Sequence, residues 1–537
     1  MTTALEDLPD DVAALRALLQ AERADHAAEL ADERAHHASE LAERDTRLER
    51  LTAMLHALRR AQFGRRSEKL DPAQLSLTLE DLEIAVAAAQ AEKDKQDGAR
   101  ATPRRAAPIK RSAPLPAHLP RIEQVIEPKS TVCPCCTGAM HRIGEDRSER
   151  LDVIPAQYRV LVTRRAKYGC RACEGAVVQA PAPARLIEGG LPTEATVAHI
   201  LINKYANHLP LYRQWQILAR QGIDIDRSNL ALWTGRGAFL VSPVVDRMLE
   251  LLKGSTKLFC DETRAPVLDP GRGRTKTGYL WAIARDDRPW GGADPPAVVY
   301  RYAPGRGSEH ALRHLAGFAG VLQVDGYTGY NALADPARPG GPVTLAYCWS
   351  HFRRQFYDIA KGGNAPIADQ ALARIARLYA IEDSMRGQPA LQRQAMRQQH
   401  TKPLVGELFA WLETQLRLVR RSSNIADAIR YGFNHQDGLR HFLEDGRIEI
   451  DTNPVERTIR PIALNRKNSL FAGHDEGGVH WGVVASLVET CKLNDIEPQA
   501  YLSDVLTKLV EGWPRRRIDE LLPWVWAHQQ RGDKLAG

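Results

Sequence analysis

The chain has 537 residues, of which 44% are hydrophobic and 26% are charged, an ordinary composition for globular domains. At ~100–200 residues per domain, this length predicts roughly three to five units. No stretch approaches the ~18 consecutive apolar residues that a membrane span requires, and the acidic N-terminus lacks the features of a secretory signal. These observations exclude a membrane protein and predict a cytoplasmic one.

The net charge of +7 is unevenly distributed. Residues 1–50 hold 6 Lys/Arg and 13 Asp/Glu, which leaves 67 Lys/Arg against 53 Asp/Glu in the remainder. A basic body behind an acidic arm is typical of proteins with a polyanionic partner, although the charge alone is a weak signal.

Residues 1–62 are rich in Ala, Glu, Arg and Leu, which favours a long helix. From residue 41 onward, leucines recur at heptad spacing: Leu41, Leu48, Leu55, Leu51 and Leu58. This pattern predicts a coiled coil that makes the protein a homo-oligomer. The alternative, a helix packed against its own chain, is only slightly less favoured.

Residues 63–125 combine a basic break, an Ala-rich helix over 71–90 and a basic, proline-rich linker. The segment 100–121 contains six Lys/Arg, five Pro and no acid, so it cannot bury a core of its own. A plain tether and nonspecific contact with phosphates are equally compatible with it.

Residues 126–185 contain two C-x-x-C knuckles, formed by Cys133 with Cys136 and by Cys170 with Cys173, and Cys135 is a spare thiol. An alternating apolar segment between the knuckles predicts a connecting strand. Two such pairs joined by strands supply the four thiolates of one structural Zn²⁺, so we predict a zinc ribbon rather than four free thiols.

Residues 186–255 are predicted to be helical. Within them, Leu211–Arg220, the turn at Gly222 and a second helix capped by Ser228 form a helix-turn-helix-like pattern. Reading of DNA by the second helix and an ordinary helical bundle are about equally compatible with this segment.

From residue 257 the pattern becomes α/β. Predicted strands alternate with turns and then with helices: 257–260, 279–284, 297–302, 321–324 and 343–348. Three antiparallel strands followed by strand–helix alternation predict a mixed sheet with helices on both faces. Amphipathic helices follow over residues 361–445.

Asp261 and Asp325 each follow an apolar strand directly. If those strands are neighbours, both carboxylates point into one crevice, where their mutual repulsion favours a bridging divalent cation. Hard oxygen ligands indicate Mg²⁺ or Mn²⁺.

Glu456, in the segment Asn453-Pro-Val-Glu, is the best candidate for a third acid, and Asp451 and Glu449 are the alternatives. A purely structural interpretation is a capping box, with Asn453 as the N-cap of a helix. His351 fits either orientation of a scissile phosphate or simple packing, and packing is favoured.

The chain resembles the DDE transposases of the insertion-sequence-66 family. The matching stretches run from about residue 41 to 509 in the family's order: QFGRRSEKL, KYGCRACE, LYRQWQILARQGIDIDRSNLALW, DETRAPVLDPGRGRTKTGYLWA, VDGYTGYNAL, CWSHFRRQF, NPVERTIRPIALNRKNSLFAGHDEGG and LVETCKLNDIEPQAYLSDVL. The departures from the family, Ser350 in place of Ala and the form of the NPVER motif, leave the carboxylates in place.

This resemblance implies a multidomain α+β protein with a ribonuclease-H-like core over 256–475, a helical insertion at 361–445 and a C-terminal helical element at 476–537. It also implies that Asp261, Asp325 and Glu456 are catalytic and bind two Mg²⁺ or Mn²⁺ ions. Seven cations become candidates for contact with the DNA backbone: Lys276 in a glycine turn at 271–278, Arg353, Arg354, Arg457, Arg460, Arg466 and Lys467.

The implied activity is cleavage at the ends of an insertion sequence and transfer of the freed 3′-hydroxyl into target DNA, with the protein bound to the nucleoid. Accessory proteins of the same element are implied partners. Two alternatives remain: a zinc-ribbon and helix-turn-helix regulator with an inactive core, and a hydrolytic nuclease that never joins strands. A coiled-coil scaffold would explain only the N-terminal segment.

Overall fold

The computed structural model describes residues 120–154, 157–172, 175–269, 274–469 and 472–536, together with residues 82–91, Leu115 and scattered positions between 13 and 53. The described residues form two β-sheets and the helices that cover them, so the fold is mixed α+β. The predicted basic break at 62–70 and nearly all of the predicted linker at 100–121 lie outside the described residues. In the part of the chain that is described, no helix is long and apolar enough to cross a bilayer.

The first sheet contains four strands: β1 (Arg121–Ile126), β2 (His141–Ile154), β3 (Gln157–Gly169) and β4 (Val177–Gln179). β3 lies parallel to β1 and antiparallel to β2 and β4. Val160 and Val162 on β3 are fully buried because alternate residues of a strand face the same side. This arrangement confirms the strand that the alternating apolar segment predicts.

Three helices follow: α1 (Glu194–Tyr205), α2 (Leu211–Arg220) and α3 (Arg227–Lys253). The predicted cap of the third helix is wrong by two residues, because Asp226 is the N-cap and accepts a hydrogen bond from the backbone N–H of Ser228. α3 is 27 residues long, and one side of it is buried in the main core. Many residues of the second helix in the helix-turn-helix-like pattern are therefore buried in the core.

The second sheet has the strand order β7-β6-β5-β8-β9. Its strands are β5 (Lys257–Asp269), β6 (Arg274–Arg285), β7 (Ala297–Ala303), β8 (Val321–Val324) and β9 (Thr344–Tyr347). β5, β6 and β7 are antiparallel neighbours, whereas β8 and β9 run parallel to β5. The predicted mixed sheet is confirmed, but β5 is much longer than the predicted strand 257–260.

The helices around this sheet come from several parts of the chain. They are α4 (Ser308–His314), α5 (Trp349–Ala360), and, after the insertion described below, Asn453–Ser469, Asp475–Leu493, Pro498–Val510 and Pro523–Ala536. Among them, Asn453–Ser469 contacts β5 and β6, and Asp475–Leu493 contacts β7. In the helix Asp475–Leu493, the Ser486 hydroxyl accepts the Tyr300 N–H, and the Thr490 hydroxyl bonds both backbone groups of Val298 on β7. This helix therefore packs directly against β7.

Between α5 and the helix that begins at Asn453 lie five α-helices and a π-helical turn (Arg397–Thr401), which form a second hydrophobic core together with α5. They are α6 (Pro366–Ser384), α7 (Ala390–Met396), α8 (Lys402–Leu418), α9 (Asn424–Asn434) and α10 (Gln436–Glu444). The Arg397 side chain is fully buried here and donates two hydrogen bonds to Glu382, at 2.7 and 2.6 Å. The remaining four helices are numbered α11 (Asn453–Ser469), α12 (Asp475–Leu493), α13 (Pro498–Val510) and α14 (Pro523–Ala536).

Two N-terminal segments contact the body of the same chain. Residues 82–91 are helical and pack on α3 at Gly235, where an added Cβ would lie 2.1 Å from the carbonyl oxygen of Ile84. Arg47 forms an ion pair with Glu476 at the start of α12. These contacts fit a helix packed on its own chain, and the pairing of two chains stays a prediction.

Candidate functional site

Two aspartates face each other across β5 and β8. The parallel register pairs Lys257 with Val321 and Phe259 with Gln323, and its continuation by two residues sets Asp261 opposite Asp325. The prediction that Asp261 ends its strand is wrong, because β5 continues to residue 269 along β6. What ends beside Asp261 is the pairing with β8, so the two aspartates lie where these strands separate, a region called the crevice below.

Each aspartate is oriented by a backbone amide. The Asp261 carboxylate accepts the N–H of Glu262 at 2.8 Å, and the Asp325 carboxylate accepts the N–H of Tyr327 at 2.8 Å. The Tyr431 hydroxyl on α9 donates to the carbonyl of Asp325 at 2.9 Å, which links the insertion to this strand end.

Glu456 enters the crevice from the first turn of α11. The predicted N-cap Asn453 is wrong, because the helix starts at Asn453 and the carbonyl of Thr452 accepts the first helical N–H groups. The Thr452 hydroxyl donates to Glu456 Oε1 at 3.0 Å. Because the Asn453 N–H donates to Asp451 Oδ1 at 3.1 Å, the reciprocal bond to Glu456 that the predicted capping box requires is not formed.

The other two predicted acids act on the charge of Asp261. Burial raises the pKa of Asp261 well above its ordinary value, and the negative charges of Glu262, Asp325 and Glu456 raise it further. Like charges held this close favour a bound cation. Carboxylate oxygens from a strand, a strand end and a helix are ligands suited to Mg²⁺ or Mn²⁺, so the residues present fit the implied metals.

Sequence reasoning missed an arginine that joins the acids. Arg306, in the loop before α4, forms an ion pair with buried Glu262 and lies 3.9 Å from Asp325. Its guanidinium stacks 3.7 Å above the ring centre of Tyr327, and the Tyr330 hydroxyl donates to Glu262 from the other side. No spacing in the sequence signals this arrangement, because its members come from three separate elements.

His351, Asp451 and Glu449 also lie near Glu456, with different partners. His351 Nδ1 lies 3.8 Å from Glu456 Oε1. The histidine therefore lies closer to the predicted third acid than the packing interpretation implies. Glu449 is bonded to Arg393 at 2.7 Å, and Asp451 accepts the side-chain amide of Asn453 at 2.6 Å. Burial raises the pKa of Asp451 to about 6.

The seven candidate DNA-binding cations differ in how available they are. Arg457 and Arg460 on α11 are exposed, and Arg460 lies one helical turn beyond Glu456 on the same face. On α5, Arg353 and Arg354 are exposed, although Arg354 lies 3.8 Å from Asp358.

Two other candidate cations have protein partners. Lys276 lies in β6 rather than in the predicted turn, and it is paired with Asp475 at 2.7 Å. Arg466 donates to the carbonyl of Arg264 at 2.8 Å. The side chain of Lys467, and residues 270–273 of the predicted glycine turn, lie outside what the structure describes.

Three cysteines of the predicted zinc ribbon meet at one end of the first sheet. The sulfur atoms of Cys133, Cys136 and Cys170 all lie within 4.8 Å of one another, and those of Cys136 and Cys170 are 3.6 Å apart. Thiolates bound at ~2.3 Å to a tetrahedral ion lie about 3.8 Å apart, so the spacing fits Zn²⁺. Cys135 is exposed and outside the cluster, and Cys173 lies outside the described residues.

The chain is similar along its length to one family of proteins. Residues 189–480 match the model "Transposase IS66 family", residues 486–524 match "IS66 C-terminal element", and residues 130–174 match "zinc-finger binding domain of transposase IS66". Residues 50–123 match "Transposase C of IS166 homeodomain".

Two relatives from Sinorhizobium fredii match most of the chain. The uncharacterized protein y4qI is 45% identical over 98% of both chains, and the uncharacterized protein y4jD is 46% identical over 90% of this chain and 95% of its own length. The matched segments include both knuckles and all three acids of the crevice. The chain therefore belongs to the IS66 transposase family.

Proposed function

We propose that this protein is a metal-dependent DNA transposase that cleaves the ends of its element and joins the freed 3′-hydroxyl to target DNA. The observation that carries the proposal is that Asp261 and Asp325 lie at the same end of two paired strands, and that the charges of Asp325 and Glu456 both raise the pKa of Asp261. Family membership alone would not distinguish an active copy from one that had lost an acid.

The order of the sheet supports a ribonuclease-H-like core. Counted from β5, the strands lie in the order 3-2-1-4-5, with the second strand antiparallel to its neighbours. In this topology Asp261 lies on the first strand and Asp325 follows the fourth. Glu456 comes from the helix after the insertion, which accounts for the long interval between the second and third acids.

Asp261, Asp325 and Glu456 would hold two divalent cations, most simply Mg²⁺. When bound, such cations polarise the scissile phosphate and lower the pKa of an attacking water or hydroxyl. The chain's own contribution is positioning: the amide of Tyr327 orients Asp325, and the hydroxyl of Thr452 orients Glu456. One crevice can serve both steps because each is a displacement at phosphorus.

Exposed arginines near the acids would contact the phosphates of the DNA backbone. Arg457 and Arg460 on α11 and Arg353 and Arg354 on α5 flank the crevice through the two helices that carry Glu456 and His351. Lys276 and Arg466 would have to leave protein partners, so we assign them weaker contacts. Several phosphate contacts make DNA binding steeply dependent on salt.

The remaining modules would recognise DNA and assemble the complex. We assign the zinc ribbon, with Cys173 as the fourth thiolate, and the α2–α3 segment to the element's ends. The N-terminal helix would pair two chains as a coiled coil, and accessory proteins of the same element would join them on the nucleoid.

The test uses a labelled duplex made from the DNA that flanks this gene, incubated with the full-length protein and Mg²⁺ or Mn²⁺. We expect nicked ends and joined products with wild type, and about a hundredfold less of both, or lower, with Asp261→Asn, Asp325→Asn or Glu456→Gln. Nicks without joined products would favour the hydrolytic nuclease. DNA binding with no nicks in any sample would favour the regulator.

A further inference from the structure

His351 places a ring nitrogen beside the third acid without bonding it. It is the third residue of α5, and its Nδ1 lies 3.8 Å from Glu456 Oε1, too far for a hydrogen bond. Among the described residues, this Nδ1 is buried and has no hydrogen-bond partner. A buried polar atom left in this state is costly unless something else binds it.

The separation between His351 and Glu456 is fixed by backbone contacts. The N–H of Trp349 at the start of α5 donates to the carbonyl of Ile450 at 3.0 Å, and the N–H of Thr452 donates to Cys348 Sγ. These bonds tie the first turn of α5 to the first turn of α11. The nitrogen and the carboxylate are therefore held on opposite sides of one small gap.

Cys348 is the third side chain at this gap, and it is not suited to bind a hard cation. The ligand atoms of Cys348, His351 and Glu456 all lie within 4.8 Å of one another. However, its sulfur is buried and already accepts the Thr452 N–H at 3.3 Å, and sulfur is a soft ligand that Mg²⁺ and Mn²⁺ disfavour. Cys348 therefore helps to position the two segments, which leaves one nitrogen and one carboxylate as ligands.

We propose that His351 Nδ1 is a ligand of a divalent cation that Glu456 also binds. The proposal rests on the proposed function, because it adds a ligand to that same site. Adjacent ligands ~2.1 Å from an octahedral ion lie about 3.0 Å apart, so closing the gap requires a movement of only about 0.8 Å. An imidazole at an otherwise all-oxygen site favours Mn²⁺ and later divalent metals over Mg²⁺.

The test is electron paramagnetic resonance of Mn²⁺ bound to the full-length protein, read by the modulation that a coordinated ¹⁴N imparts to the spin echo. We expect nitrogen modulation in wild type and its loss in His351→Ala, with Mn²⁺ affinity about tenfold lower or more. His351→Gln keeps a side chain of similar reach, so it should recover part of the affinity without the nitrogen signal. His400→Ala, at an exposed histidine of the insertion, is the matched control and should behave as wild type.

The outcomes separate this inference from the proposed function. Mn²⁺ binding that disappears in Glu456→Gln but shows no nitrogen modulation in wild type would overturn the histidine ligand and leave the transposase standing. Wild type that binds no Mn²⁺ would overturn both. Persistence of the nitrogen signal in folded His351→Ala and His351→Gln would also refute the inference.

Discussion

The two predicted metal-binding regions of this protein bring their candidate ligands together in different ways. Cys133 and Cys136 belong to one tight turn, closed by the hydrogen bond from the Cys133 N–H to the carbonyl of Gly138 at 2.8 Å, and Cys170 directly follows strand β3. Asp261 and Glu456, in contrast, lie 195 positions apart in the chain. The spacing of the cysteines in the sequence predicts the first region. The second region forms only through the register of the sheet and the placement of a distant helix.

The two regions also differ in the hydrophobic core that holds them together. The cysteine cluster shares its small core with Met140 and a few partly buried neighbours. Asp261 lies on a strand whose residues belong to a hydrophobic core that extends from the first sheet to the C-terminal helices. A metal should therefore be essential to the fold of the first region and essential only to the chemistry of the second.

Removal of zinc should give the largest effect and remain local. Structural zinc contributes on the order of 10 kcal/mol to the folding of its module, so chelation should abolish amide protection around Met140 and Tyr168. Protection at Val160 and Val162 should persist, because the main core buries both side chains. Hydrogen exchange measured by mass spectrometry checks this, and loss of protection throughout β5–β9 would contradict the difference between the regions.

Neutralising one of the three acids should strongly slow DNA cleavage without unfolding the protein. We expect Asp261→Asn and Glu456→Gln each to lower DNA cleavage by about a hundredfold to a thousandfold, the range seen when preorganised charge is removed from a reacting centre. Thermal stability should be unchanged or higher, because burial already raises the pKa of Asp261 and disfavours its charge. Glu407→Gln, at an exposed carboxylate of α8, is the control. A Glu456→Gln protein that cleaves normally would remove this acid from the site.

Stability should depend on pH through Asp451. Its pKa rises from 3.8 to about 6 on folding, so its stabilising contribution is present below about pH 4 and is lost as the pH rises to about 6. Relative to wild type, Asp451→Asn should gain up to about 3 kcal/mol in free energy of unfolding across that interval. Urea unfolding at pH 4, 5, 6 and 7 measures the difference, and parallel curves for the two proteins would refute it.

A smaller effect is expected at Arg306. Arg306→Lys keeps a positive charge but loses the planar group that contacts Glu262 and stacks on Tyr327, so Asp325 should be held less firmly. We expect Mn²⁺ affinity to fall about tenfold, as for other residues that orient metal ligands. Arg313→Lys, at an exposed arginine of α4, should leave affinity unchanged. Isothermal titration calorimetry with Mn²⁺ measures the affinity of both variants, and equal affinities would contradict the prediction.

The sequence predicted features whose cause is local. β8 occupies the predicted segment 321–324, and the knuckle cysteines approach one another as their spacing indicates. The sheet order agrees with the strand–helix alternation for the same reason, since short connections limit where neighbouring strands can lie.

Features that depend on distant contacts escaped prediction. Asp261 was placed at a strand end because the apolar run stops there, yet the pairing of β5 with β6 carries the strand eight residues farther, to Asp269. Thr452 rather than Asn453 caps α11, since Asn453 instead bonds Asp451. The contact of Arg306 with both Glu262 and Asp325 arises only after folding, because a loop and two strands must first come together.

The most direct test of the shared crevice replaces Mg²⁺ with Fe²⁺ and adds ascorbate, so that radicals formed at the ion cut the nearby backbone. Mass spectrometry of the fragments should then show cuts close to Asp261, Asp325 and Glu456 in the same preparation, and excess Mg²⁺ should suppress all three. Cuts confined to β5 and the end of β8, with none in the first turn of α11, would mean that the third acid does not share the metal site and would contradict the account.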